Sequence, residues 1–205
     1  LITSGSGSIS LTGDATNNTN SSSTAWGMQP NDATIQTVSG DITLDMTGGK
    51  SSSNSRGLAL DSQSIQLLSS SGAITVRDIQ PTGLTGNYNG LYLSPSSANA
   101  ILFGANGTTV PSSSSNVVIE ADKAAFVNQP ILFNTSGTVT VRPAGASFSS
   151  SLDTTLLNIA STITGLTLGK EMNTQDITIG SAVSINGPLT VYGGDITVSG
   201  NIDTT

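Results

Sequence analysis

Short apolar–polar–apolar triplets recur along this chain, bounded by Gly, Ser, Asn and Asp. They read Ile9-Ser10-Leu11, Ile42-Thr43-Leu44, Ile74-Thr75-Val76, Val117-Val118-Ile119, Val139-Thr140-Val141, Ile177-Thr178-Ile179 and Ile196-Thr197-Val198. Strict alternation gives a strand one apolar face, and the flanking small residues mark turns. The triplets start 33, 32, 43, 22, 38 and 19 residues apart, a period in the range of solenoid repeats. Helix signals are sparse. Glu120–Val127 (EADKAAFV) is the one helix-like stretch, and Ser151–Ser161 reads ambiguously.

Each unit holds three apolar segments. The second series is Ala25–Met28, Gly57–Leu60, Gly90–Leu93, Phe126–Val127, Leu156–Ile159 and Val183–Ile185. The third is Thr34–Gln36, Ile65–Leu67, Ile101–Phe103, Ile131–Phe133, Leu166–Leu168 and Leu189–Val191, after which Gly194-Asp195-Ile196 opens another unit. A strand of three to five residues gains stability only by stacking on its equivalent in the next unit. The expected fold is therefore all-β: a right-handed parallel β-helix of six to seven three-stranded rungs. It is a single solenoid segment over 1–205, with irregular, long-looped rungs over 1–165 and compact rungs over 166–205. An antiparallel sandwich is the rival architecture, and a disordered Ser-rich chain the other.

The register assigns side chains to the outside. The middle column of the first strands reads Ser10, Thr43, Thr75, Val118, Thr140, Thr178 and Thr197, and the next outward column Thr12, Asp45, Arg77, Glu120, Arg142, Gly180 and Ser199. Asp45, Arg77, Glu120 and Arg142 would form a ladder of alternating charge, each cross-strand pair contributing about 0.2–1 kcal/mol. Trp26 falls in the inward column with Leu58 and Leu91. Loops Thr12–Thr24, Asp45–Arg56 and Arg77–Asn89 leave one corner as a ridge, where Tyr88 and Tyr92 are candidate carbohydrate or partner contacts.

Composition narrows the chemistry. Ser and Thr make up about 30% of the chain, charged residues only 9%, and there is no Cys and no His. Disulfides, thiolate metal sites and His-based triads are excluded. A net charge of −7 with six Lys and Arg does not suit nucleic acid, and no apolar run is long enough for a membrane helix. A parallel coil hosting a glycoside-cleaving enzyme would need two converging carboxylates. The candidates are Asp41, Asp45, Asp61, Asp78, Asp176 and Asp195, but Asp41 and Asp195 hold one repeat position, the mark of a turn residue whose carboxylate accepts a local backbone N–H. Gly48-Gly49-Lys50-Ser51 lacks the first Gly of a phosphate loop, with Leu44 in its place. No catalytic, cofactor or metal residues are expected.

The segments GDITLD, GDITV and NGPLTVYGGDITVSGN, best over Leu166–Thr205 and next over Ser39–Leu67, resemble the repeat regions of filamentous-haemagglutinin-like bacterial surface adhesins and exoproteins. The resemblance implies a right-handed parallel β-helix, an extracellular location on a bacterial surface, and a role in adhesion or matrix building; host or matrix glycans are candidate partners. A carbohydrate-binding or carbohydrate-active β-helix is the alternative. The ends carry no cap signature, so further turns of a longer chain, or copies stacked end to end, are the expected neighbours.

Overall fold

The computed structural model describes residues 1–18, 24–50, 54–80 and 90–205, which form 22 strands and no helix. Every strand pairing among them is parallel. The strands stack on three faces, giving a parallel β-helix.

Face one is a seven-stranded sheet of β2 (Ile9–Asp14), β5 (Ile42–Thr47), β8 (Ile74–Ile79), β11 (Val117–Ala121), β14 (Thr138–Arg142), β17 (Gly165–Leu168) and β20 (Leu189–Val191). Face two stacks β3 (Thr24–Met28), β6 (Asn54–Gln63), β9 (Leu91–Pro95) and β12 (Ala124–Phe126), and then β15 (Leu152–Asp153), β18 (Ile177–Ile179) and β21 (Ile196–Val198). Face three stacks β1 (Ile2–Ser4), β4 (Ala33–Thr37), β7 (Ile65–Leu68), β10 (Ile101–Gly104), β13 (Ile131–Asn134) and β16 (Leu157–Ile159), and then β19 (Val183–Ile185) and β22 (Ile202–Thr204).

Alternation puts like on like. Ile9, Ile42, Ile74, Val117, Val139, Leu166 and Leu189 form one inward column of face one. On face three, Phe103 and Phe133 occupy adjacent rungs of the inward column and stack with ring centroids 4.9 Å apart. Both are buried in the single core that runs through the coil. A smaller apolar cluster lies outside it, where Ala105 and Val110 cover Leu68 and Leu102.

Serine and threonine find a use at the corner between faces three and one. Thr37, Ser69, Ser115 and Thr135 are buried there. Thr37 Oγ1 donates to the Gly40 carbonyl at 2.6 Å, Ser115 Oγ to that of Ser69 at 3.0 Å, and Thr135 Oγ1 to that of Ser115 at 2.8 Å. Hydroxyls thus satisfy the carbonyls of a buried bend that the sheet ladder leaves unpaired. At the same corner each turn presses on the one before: a side chain on Gly72 would collide with the Gly40 carbonyl.

Four expectations are corrected. Glu120–Val127 is not helical: β11 runs through Ala121 and β12 follows at Ala124. Its residues are placed by stacking on Arg77–Asp78 and Leu91–Leu93, which overrides local helix preference. Second, Leu166–Leu168 belongs to face one, not face three, and Leu156–Ile159 contributes β16 to face three rather than face two. Face two in that turn is the two-residue β15, too short to show alternation. All later segments consequently move by one face: Ile177–Ile179 and Ile196–Val198 lie on face two, Val183–Ile185 on face three and Leu189–Val191 on face one. Third, Trp26 is the register partner of Arg56, and Met28 takes the position beside Leu58. Fourth, Asp41 does not cap its own turn: its Oδ1 accepts the Ala73 N–H of the next turn at 2.8 Å. Asn116 and Asp176 do the same for Thr138 and Asp195.

The turns are shorter in the C-terminal half of the coil than in the N-terminal half. The register offset on face one is 33 residues between Ile9 and Ile42 and 23 between Leu166 and Leu189, and on face two 19 between Ile177 and Ile196.

Candidate ligand cleft beside the charge ladder

On the outer surface of face one, Thr12, Asp45, Arg77, Glu120 and Arg142 stand in register on successive strands. Arg77 Nη1 lies 3.1 Å from Asp45 Oδ2, and its Nε donates to Glu120 Oε1 at 3.0 Å. Arg142 reaches Glu120 Oε2 from the other side, through Nη2 at 2.7 Å and Nε at 2.9 Å. Glu120 is the centre of the ladder, its side chain only 13% exposed. Burial pushes its carboxyl up, but the hydrogen bonds from Arg142 and Arg77 outweigh that and leave it below the ordinary glutamate value. The hydrogen bond to Glu120 raises the Arg77 guanidinium in turn, against partial desolvation. Glu120→Gln is expected to cost about 1–2 kcal/mol in urea unfolding, because both arginines lose a charge-assisted partner. The loss should shrink at high salt.

With the face-one register corrected, the column continues past Arg142 to Gly169 and Tyr192, not to Gly180 and Ser199. Gly169 N donates to the Val141 carbonyl and Tyr192 N to that of Leu168, each in ladder geometry. Gly169 contributes no side chain, and its φ of +79° bends the chain outward into the loop carrying Lys170 and Glu171. A slot opens on the outer surface beside this stretch of the column. It is a cleft of about 410 Å³ lined by Thr140, Arg142, Thr167, Gly169, Lys170, Glu171 and Tyr192. Arg142 and Tyr192 are two strand spacings apart, about 9.6 Å along the stack. Thr140 and Thr167 form its floor as register partners.

The loop beside the slot is held firmly. Asn173 is buried. Its Oδ1 accepts from Ser147 Oγ at 2.9 Å and Phe148 N at 3.1 Å, and its Nδ2 donates to the Tyr192 carbonyl at 2.8 Å. Lys170 Nζ donates to the Ala144 carbonyl at 3.2 Å.

Elsewhere the candidate residues have other duties. Tyr88 lies outside the described residues, as do 19–23, 51–53 and most of the third ridge loop. Tyr92 is on β9 of face two, and the Arg56 guanidinium sits 3.8 Å from its ring centroid, so this ring face is occupied. The same guanidinium is 5.9 Å from the Trp26 ring. Among the acids, Asp61 lies on β6 in register with Ser94. Asp78 points into the core and is fully buried, its Oδ2 accepting the Leu58 N–H at 2.8 Å and its Oδ1 that of Gly57 at 3.2 Å. Among the described residues no group of three or more acids is placed to hold a metal ion. Sequence reading missed the slot because its walls come from Arg142, Lys170 and Tyr192, which only the corrected register brings together.

No family model, curated protein or solved structure matches this chain.

Proposed function

We propose that the chain is a structural and adhesive β-solenoid segment of a bacterial surface protein or fibre of the filamentous-haemagglutinin-like kind, working outside the cell and without catalysis. The observation that carries this reading is the unbroken register of face one, which holds seven strands in a stiff stack and displays a polar outer column along it. A solenoid bonded rung to rung resists bending and sets its outward side chains at a fixed pitch. That geometry suits a shaft that carries contact surfaces away from a cell. The acids support the absence of catalysis, since Asp41 and Asp176 bond the next turn, Asp45 is in the ladder and Asp78 is in the core.

Further turns of a longer chain, or copies stacked end to end, are the partners in this reading. The test is attachment. A non-adherent bacterium displaying the chain should bind glycan-coated surfaces or host cells more than the same strain without it, and equal attachment contradicts the reading.

A further inference from the structure

We propose that the slot between Arg142 and Tyr192 is a binding subsite for a carboxylate-bearing hexose, a uronic-acid unit of a glycan. The inference deepens the adhesive reading and rests on it for its biological setting, but the site is defined by its own geometry. Three features of the slot converge on that ligand.

The first is shape. The slot lies at the Gly169 rung and is flanked two rungs apart by a guanidinium and an aromatic ring. Two strand spacings of about 9.6 Å accommodate one ring with van der Waals clearance on both sides. Tyr192 is 37% exposed, and its ring pairs with no other aromatic or guanidinium among the described residues. Its face is free to stack on the C–H face of a pyranose, in contrast to Tyr92.

The second is the polar floor. Thr140 and Thr167 stand one strand spacing apart, about 4.8 Å, and each carries a hydroxyl able to donate and accept. Such a floor suits a ligand with several hydroxyls along one edge and does not suit an apolar ring.

The third is charge. On a chain of net charge −7 with only six Lys and Arg, two of those cations line this one cleft. Arg142 is the terminal cation of the ladder. Its Nε and Nη2 are engaged with Glu120, and its Nη1 has no partner among the described residues. Lys170 spends one donor on Ala144 and keeps two. The single acid in the lining, Glu171, is exposed at the rim. An anion on the ligand meets Arg142 and Lys170, and a planar carboxylate matches a guanidinium edge. The Asn173 bonds hold loop and tyrosine in place before ligand arrives, so little ordering cost falls on binding.

The experiment is calorimetric titration of the whole chain with a short oligohexuronate, a neutral hexose oligomer of equal length, and a sulfated neutral oligomer. The oligohexuronate should bind about tenfold or more tightly than the neutral oligomer. Tyr192→Ala should weaken uronate binding about tenfold or more, with Tyr192→Phe retaining it, because the ring and not its hydroxyl supplies the stacking face. Arg142→Met should remove the preference for uronate over the neutral oligomer. Thermal unfolding of each variant checks that the coil is intact. Failure of the uronate to bind, or binding unaltered in both Tyr192→Ala and Arg142→Met, overturns the proposal. Equal binding of the sulfated oligomer overturns the assignment to a carboxylate. Surface attachment measured with wild type and Tyr192→Ala separates the two levels. Attachment without uronate binding sinks the subsite alone, whereas uronate binding without attachment sinks the adhesive reading alone.

Discussion

Replacing Gly72 by valine is expected to destabilise the coil by about 3 kcal/mol or more, measured by urea unfolding. Any Cβ at this position would overlap the carbonyl of Gly40, the equivalent residue one turn back. The obstruction is backbone, so no side chain can swing aside to relieve it. The corner could open only by weakening the flanking bonds, Ile42 N to the Ala73 carbonyl at 2.8 Å and Gly72 N to Ser69 Oγ at 2.9 Å. Gly5 supplies the control. A Cβ there meets nothing within 4 Å, so Gly5→Ala should change stability by no more than about 0.5 kcal/mol. Equal effects at Gly5 and Gly72 would show that the turns do not press on one another at this corner.

Stability should also fall as pH rises from about 4 to about 7, through Asp78. Burial pushes this carboxyl up to about 7 from 3.8, the N–H groups of Leu58 and Gly57 oppose the shift, and the neighbouring charge of Asp122 adds to it. A carboxyl with a raised folded value binds its proton more tightly in the native state. Its contribution is complete below the unfolded value near 3.8 and is lost as pH rises through about 7. A shift of this size corresponds to a loss on the order of 4 kcal/mol across the window. Glu120 has the opposite sign. Its folded value is lowered, so its contribution is present above the unfolded value and disappears as pH falls through the folded one. The wild-type profile should therefore show a maximum on the acid side of neutrality. Asp78→Asn removes the titrating group while keeping its shape, and its stability should be flat between pH 4 and 7. Unfolding midpoints measured every half unit of pH decide this, and a wild-type profile that rises toward pH 7 contradicts the role given to Asp78.

The fold was legible because the repeating unit buries the same residue types at the same depth in every turn. Ile42, Ile74, Val117 and Val139 stack as their alternation indicates. Asp45, Arg77, Glu120 and Arg142 stand in one column because they follow those strands at one offset. Alternation has a blind spot, however, since it distinguishes inside from outside but not one face from another. Leu166-Thr167-Leu168, Ile177-Thr178-Ile179, Leu189-Thr190-Val191 and Ile196-Thr197-Val198 are equivalent as patterns, yet they lie on faces one, two, one and two. The missing marker was β15, two residues long, and one uncounted strand moved every later segment by a face. The cleft was hidden for the same reason, because only the correct face assignment puts Gly169 after Arg142 and Tyr192 after Gly169. The Trp26 position shows a related limit: a shift of two residues within face two exchanged it for Met28 beside Leu58.

The in-register stacking of successive turns is tested most directly by engineered cross-links, for which a chain without cysteine is a clean background. Thr43 and Thr75 are register partners on adjacent strands of face one, about 4.8 Å apart and within the reach of a disulfide. Val118 lies one strand further along the same column, about 9.6 Å from Thr43 and beyond that reach. Under mild oxidation the Thr43→Cys/Thr75→Cys chain should close an intramolecular disulfide and lose both free thiols. The Thr43→Cys/Val118→Cys chain should stay reduced. Failure of the first pair to close, or equal closure of both, would contradict the parallel stack on which the shaft, the ladder and the cleft all depend.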